Sequence, residues 1–464
     1  MTATTRKTQR KRTARVLVAG AGIGGLSCAY ELMRRGHDVT VLEASARTGG
    51  HILTLREPLA DGLYADMGAE HFTKPGYERF WDYTREFKLP VLEFPRRQNI
   101  VQTINGTRYT EAQLRSRRVL KALGFNRREV AFLATHAWWE LPLLYLSPYL
   151  GAFTDEYQPF GVGLDDLDGL SVSDLLRRDG ASATAIRFAG SETVTRGVGR
   201  VAGESALYRL WQTAIVQLRG VPIFPTQLYR IGGGNQRMTD AFAARLGERV
   251  HLNCRVTGIA QGEAGVTVTV MEAGRRRKIE ADWLVNALPL TVLRNIPVKP
   301  AWPAAKAYVI NNVSYTQQAR VVYQTRTPFW RQRGASGNTR LEGDVFWTCP
   351  IAEEVKSARG LLMASGDDTL SVEQALAALQ RGMPGSAGQI EQALVKVWVA
   401  DAHAPSCERQ PFPVGELGRF WPEIMRAHGR IHFCGAYADN LIWGMEAATR
   451  SANRVAREID AAAR

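Results

Sequence analysis

The chain has 464 residues, is 45% hydrophobic and carries a formal net charge of +14. That length can bury two cores across one interface, and the composition excludes a disordered or collagen-like chain. Five cysteines (Cys28, Cys254, Cys349, Cys407 and Cys434), with no CxxC and no metal-like spacing, argue against a disulfide framework and against a zinc site.

Residues 1–14 are polar and basic and read as a disordered arm. With no apolar stretch separate from the first strand, they do not resemble a secretory signal, so a reducing, cytoplasmic setting is expected. From Val16 an apolar strand runs into Gly20, Gly22 and Gly25, a helix is expected from Leu26 to Arg35, and a second strand, Val39–Glu43, ends on an acid. Gly20 permits the tight turn, Gly22 lets the backbone approach a pyrophosphate, and Gly25 allows close helix–strand packing. The helix N-terminus offers free N–H groups to phosphate, and Glu43 stands where a carboxylate accepts ribose hydroxyls. In register, these parts define a dinucleotide site.

Two further stretches favour FAD over NAD. Ala44-Ser-Ala-Arg47-Thr-Gly49-Gly50 follows the acid, and Asp66-Met-Gly68-Ala69-Glu70-His71 follows that. Near the other end stand His432-Phe-Cys-Gly435-Ala436-Tyr and Trp443-Gly444-Met445-Glu-Ala-Ala448. In these motifs the chain resembles the FAD-dependent amine oxidase superfamily, which includes monoamine, polyamine and L-amino-acid oxidases. The resemblance implies an α/β fold: a Rossmann-like FAD domain built from discontinuous segments, beside a mixed α+β substrate domain. It implies FAD contacts at Gly20, Gly22, Ile23, Gly24, Gly25, Glu43, Ala44, Arg47, Gly49, Gly50, Gly68, Ala69, Glu70, Val256, Gly435, Ala436, Gly444, Met445 and Ala448. No metal is expected.

The segments implied are 15–75, 225–299 and 401–464 for FAD, with a mainly helical substrate segment at 76–224 and a sheet segment at 300–400. Amphipathic helices are expected around Tyr77–Phe87, Arg128–Trp139, Ser205–Leu218, Gln236–Leu246 and Ser371–Arg381. Strands are expected at Val250–Cys254, Val266–Met271, Asp282–Ala287, Ala319–Thr325 and Leu394–Ala400. The greasy run Phe132–Phe153 is interrupted by Glu140, Pro142 and Pro148, which argues against a membrane span. A buried helix pair, the wall of an apolar cavity and a monotopic patch are its three readings.

The reaction implied is hydride removal from a carbon beside an amine to flavin N5, with oxygen as acceptor and imine and hydrogen peroxide as products. An apolar pocket would favour the neutral amine, and an apolar or aromatic amine is the expected substrate. At the substrate side, however, the family pattern is altered. Arg320 stands where many members carry a lysine, and arginine does not readily act as a base. The two cage positions of the monoamine oxidases fall on Glu408 and Gly444, with Trp443 able to supply one wall. His71 takes the place of the arginine that holds a carboxylate in amino-acid oxidases, which counts against an ordinary amino-acid oxidase, and His51 replaces a second arginine of the Arg-x-Gly-Gly-Arg pattern. The candidate catalytic residues are therefore Arg320, His71, Glu70, Trp443 and Glu408. Cys407 lies eight residues before Gly415, the spacing of the flavin-bonded cysteine of monoamine oxidases, but its neighbours differ and a non-covalent flavin is expected.

Two other functions fit the same cofactor motifs: a desaturase or isomerase of a hydrophobic substrate, and a non-catalytic flavin module with a basic interaction surface. The basic clusters Arg115–Lys121, Arg127–Arg128 and Arg275–Lys278 read as solvated surface. Nucleic acid is not an expected partner, since aromatic residues do not alternate with the charges. Peripheral membrane contact and a homodimer stay open.

Overall fold

The computed structural model describes residues 13–189, 194–196, 200–316, 318–333, 336–341, 345–405 and 408–463. Most of the expected basic arm, and Cys407, lie outside these. Ala14, placed in that arm by sequence, is buried: its carbonyl accepts from Asp38 N at 3.0 Å.

Strand β1 (Arg15–Ala19), helix α1 (Ile23–Arg34) and strand β2 (Asp38–Leu42) form the first unit. The helix begins three residues before the expected Leu26, so Ile23, Gly24 and Gly25 make its first turn. Glycine is a poor helix former, but close approach requires it here. A Cβ on Gly25 would stand 1.9 Å from the Gly20 carbonyl oxygen, and one on Gly24 would stand 3.0 Å from Gly435 Cα.

Around β1 lies a five-stranded sheet in the order Val250–His251, Asp38–Leu42, Arg15–Ala19, Trp283–Asn286, Ile431–Phe433, all parallel. Its strands come from three distant stretches of chain. The C-terminal helix, Gly444–Ala462, packs on α1. Leu26, Leu32, Val455 and Ile459 are fully buried in their shared core, each contributing roughly 1.5–3 kcal/mol of apolar burial.

A second sheet has seven strands, in the order Ile390–Val397, Ala319–Thr325, Gly360–Gly366, Val345–Ile351, Thr339–Arg340, Val101–Ile104, Thr107–Tyr109. Its last two strands come from the stretch expected to be mainly helical. A four-stranded sheet carries Arg275–Ala281 on its edge, with Arg275, Arg276, Arg277 and Lys278 exposed as expected of a solvated basic run.

Local departures from expectation have local causes. The strand expected at Val250–Cys254 breaks at Asn253, whose φ of 54° ends one strand and lets Cys254–Gly262 begin another in a different sheet. The strand expected at Leu394–Ala400 ends at Val397, because Trp398 turns inward and donates from Nε1 to the Met67 carbonyl at 2.7 Å. The helix expected over Arg128–Trp139 stops at Leu133, and Trp138–Glu140 forms a separate 3₁₀ turn. Within the greasy run, Leu143–Leu150 is a helix that buries Tyr145, Leu146 and Leu150. Among the described residues no helix is long and apolar enough to cross a membrane.

Candidate active site

One cavity of about 1240 Å³ runs from the glycine turn after β1 to the seven-stranded sheet. This exceeds the roughly 300–1,000 Å³ of ordinary ligand pockets and suits a dinucleotide with a substrate beside it. Gly20, Gly22, Ile23, Gly24, Glu43, Ala44, Arg47, Gly49, Gly50, Gly68, Ala69, Glu70, Val256, Gly435, Ala436, Gly444, Met445 and Ala448 all line it. Gly25 does not. It sits behind the turn, against Gly20.

The cofactor half is shaped by backbone. Gly22 and Gly49 are bridged in parallel, and Gly49 N donates to the Ala21 carbonyl at 2.8 Å. A Cβ on Gly49 would meet the Ile52 carbonyl at 2.6 Å, and one on Gly68 the His51 carbonyl at 1.7 Å. The N-terminus of α1 carries no side-chain cap and offers N–H groups and a positive dipole end to phosphate, whereas the first N–H of the C-terminal helix, at Gly444, meets the Glu408 carboxylate. Glu43 Oε2 accepts from Ala21 N at 2.7 Å, while Oε1 takes Ser45 N and Oγ. Arg47 ties the turn together through the carbonyls of Thr48, Gly50 and Ile52. His51 lies against Trp398, with ring centroids 4.0 Å apart and planes tilted by 35°, and its buried Nε2 has no protein partner. Burial and Arg320 lower the His51 pKa to about 3, so it presents a neutral imidazole to whatever fills the cavity. An uncapped α1 N-terminus, an orphaned ring nitrogen and a channel that side chains would block fit FAD.

The substrate half is built from charge. Gly68-Ala69 is pinned by Asn235 Nδ2, which donates to the Ala69 carbonyl at 3.1 Å, and this turn presents Glu70. Glu70 Oε1 pairs with Arg96, and Oε2 lies 3.0 Å from Arg320 Nη1. Arg320 in turn donates to Ser365 Oγ at 2.7 Å and to the Gly68 carbonyl at 3.3 Å. Its side chain is only 12% exposed, so Arg320 belongs to the site and not to the outer surface of the strand.

His71 Nδ1 is 3.4 Å from Glu70 Oε1. Burial, then Arg97 and Arg320, push the His71 pKa well below its usual value. The neutral imidazole is thereby favoured beside Glu70.

Glu408 and Gly444 do face one another: a Cβ on Gly444 would sit 3.5 Å from Glu408 Oε1. Glu408 opens onto the lumen within a ring of protein. Burial raises its pKa, while Arg320, Arg97 and the Gly444 N–H oppose the rise. Trp443 stacks on Tyr77, at 6.0 Å and 6° between planes, and the pair forms an aromatic wall. His403 also lines the cavity, whereas His136 is outside it, stacked on Phe132.

Sequence reasoning missed Arg96, Arg97, Arg340, Trp347 and Tyr77, all of which line the cavity. Arg96 and Arg97 follow Pro95 on a segment held by Phe94 N to the Leu228 carbonyl and by Asn338 Nδ2 to the Pro95 and Gln98 carbonyls. In sequence they look like any other basic pair. Burial lowers both guanidinium pKa values to about 10, so both stay charged at neutral pH. With Arg320 and Arg340 they add positive charge to a lining that also carries Glu70, Glu408 and the rings of Tyr77, Trp347 and Trp443.

A three-segment nucleotide fold, a glycine-built cofactor channel and a polar chamber beside it define an FAD-dependent oxidoreductase. The model of the flavin-containing amine oxidoreductase family matches residues 23–460, and the chain belongs to that family. It is 24% identical over 472 residues to flavin-containing amine oxidase A of Canis lupus familiaris, covering 96% of this chain and 84% of that one. It is also 24% identical over 327 residues to an L-amino-acid oxidase of Daboia russelii, covering 69% of this chain and 61% of that enzyme. The solved structure of putrescine oxidase bound to putrescine superposes with a TM-score of 0.77 at 23% identity, over 97% of this chain and 99% of the other. At that identity the likeness speaks for the fold.

Proposed function

We propose that the chain oxidises the C–H bond beside an amine nitrogen in a small molecule, with oxygen as the final acceptor. The amine becomes an imine, which water hydrolyses to a carbonyl compound, and oxygen is reduced to hydrogen peroxide. FAD, when bound, supplies the hydride acceptor. Gly20, Gly22, Gly24, Gly49, Gly50, Gly435 and the α1 N-terminus would hold its phosphates and ribose, with Glu43 beside them.

The chain's own side chains orient the amine. Glu408, open to the lumen, accepts N–H bonds from the substrate nitrogen. Arg320, locked by Glu70, Ser365 and the Gly68 carbonyl, keeps a fixed positive charge in the chamber wall, which would stabilise negative charge on a bound flavin as it is reduced; it is not a base. Glu70 positions Arg320 and Arg96. His71 serves as a neutral donor or acceptor, and Tyr77 with Trp443 bounds the chamber. With four described cysteines free, a reducing cytoplasmic setting is part of this reading.

The observation that carries the reading is the meeting of three remote motifs around one cavity with Glu408 and Arg320 in its wall. A long polyene or a porphyrinogen suits that wall poorly, because its arginines would lose hydration without gaining partners. The test is anaerobic mixing of the flavin-loaded protein with a panel of amines, followed by flavin absorbance. Bleaching by an amine, with peroxide on readmission of air, is the expected result. Bleaching by a polyene or porphyrinogen alone would remove the amine reading.

A further inference from the structure

Helix α2 (Glu78–Glu86) begins beside the cavity without a cap of its own. Its N-cap position is held by Tyr77, which makes no side-chain capping bond. Serine, aspartate or asparagine there would satisfy the free N–H groups locally. Tyr77 instead gives its ring to the cavity wall, stacked on Trp443.

The cap arrives from the far end of the chain. Glu446 Oε1 accepts from Arg79 N at 3.1 Å, and Oε2 accepts from Phe80 N at 2.9 Å. Glu446 lies in the first turn of the C-terminal helix, three residues after Trp443 and next to Met445, both of which line the cavity. A carboxylate at this third position commonly turns back to cap its own helix; this one crosses to α2. It is only 1% exposed, and the two N–H bonds and the positive ends of two helices offset the cost of burying its charge. Gly76 completes the junction, since a Cβ there would stand 2.8 Å from the Trp443 ring.

We infer that Glu446 is a positioning residue for the aromatic wall: its carboxylate pins the first turn of α2 to the C-terminal helix and so sets Tyr77 against Trp443 beside the cofactor channel. This concerns the shape of the wall and does not rest on the amine-oxidising reading. A protonated carboxyl would keep one of the two bonds and turn an O–H toward the other donor. The wall therefore shifts as Glu446 titrates. Burial raises this carboxyl to about 7; the Phe80 and Arg79 N–H groups oppose the rise, Glu78 adds to it and Arg450 opposes it. Glu78 is itself paired with Arg219, and Arg450 with Glu156 and Asp439. Glu408 and Arg97 act on Tyr77 from across the lumen.

The test is visible circular dichroism of the full FAD-loaded chain, because the flavin bands report the asymmetry of the walls around the ring. The pH is varied over about two units on either side of the Glu446 midpoint. The unaltered chain is expected to change with a midpoint near 7. Glu446→Gln is expected to lose that change and hold the low-pH spectrum throughout. Tyr77→Leu is expected to lose it too, although Glu446 still titrates there. Glu408→Gln, which alters the other buried carboxyl at the lumen, is expected to keep it. A pH-independent spectrum in the unaltered chain overturns the inference. So does a midpoint near 7 that survives in Glu446→Gln or Tyr77→Leu, or that vanishes in Glu408→Gln. If Glu446→Gln does not hold FAD, the unaltered chain and Tyr77→Leu decide. No amine enters the measurement, so failure of the amine reading leaves its outcome unchanged.

Discussion

The two halves of the cavity are made by opposite means. In the cofactor half the shape is set by backbone: glycines at Gly20, Gly24, Gly25, Gly49 and Gly68 stand where a Cβ would collide with or crowd another segment. In the substrate half the shape is set by long charged side chains that brace one another, with Glu70 between Arg96 and Arg320. A backbone-built site tolerates almost no substitution and holds one cofactor. A side-chain-built site can be rewritten residue by residue while the fold persists.

The sharpest way to break the contrast is to add one methyl group to the cofactor half. Gly25→Ala puts a Cβ at 1.9 Å from the Gly20 carbonyl oxygen. The flavin-to-protein absorbance ratio of the purified variant is expected to fall at least about tenfold, since relieving such overlap displaces helix or turn.

Arg320→Met is the larger of the substrate-half changes. It removes one of two cations from Glu70 while the glycine channel stays whole, so flavin content should hold. Anaerobic flavin reduction should slow by about 100-fold, the scale of losing one preorganised electrostatic group, as read by stopped-flow absorbance. Loss of flavin with unchanged chemistry in the remaining holoprotein would assign Arg320 to the cofactor half.

Glu408→Gln should cost less, and the loss should depend on pH. Burial raises the Glu408 carboxyl above the ordinary carboxylate range. The carboxylate that receives the substrate nitrogen therefore forms only as pH climbs through that raised value, and kcat/KM should rise with it. Glu408→Gln should flatten this acid limb and raise KM by about tenfold. His51 contributes no such limb above pH 4, having been lowered to about 3.

Lys306→Met should leave both halves alone. Lys306 is 2% exposed and donates to the Glu423 and Arg426 carbonyls beside the Glu423 carboxylate. Removing it strands those partners, at about 3 kcal/mol of stability, measurable by denaturant unfolding. Burial lowers Lys306 to about 8 from 10.5. The folded chain thus sheds this proton before the unfolded chain does, and stability gains from this group between about pH 8 and 10.5. The variant should lack that gain and reduce its flavin at the unaltered rate.

The same contrast explains what the sequence made legible. Gly20, Gly22, Gly49, Gly50 and Gly435 are fixed by local geometry, and their spacing reports that geometry directly. The helices at 78–86, 206–218 and 236–246 carry their periodicity within themselves. Arg96, Arg97 and Arg340 carry no such signal, because their meaning lies in a lumen shared with Glu70 and Glu408, hundreds of residues apart in some pairs. The edge strand Arg275–Ala281 was hidden by its charges, which read as solvated surface and did not reveal the strand beneath them. The apolar pocket was expected from the chemistry of amines in general, not from the residues that line it.

The measurement that bears most directly on the account compares flavin content and anaerobic flavin reduction by an amine in Gly25→Ala and in Arg320→Met. The account predicts that Gly25→Ala loses its flavin, while Arg320→Met keeps it and bleaches about 100-fold more slowly than the unaltered chain. Full flavin content in Gly25→Ala, or loss of flavin in Arg320→Met with unaltered bleaching of what remains, would contradict it.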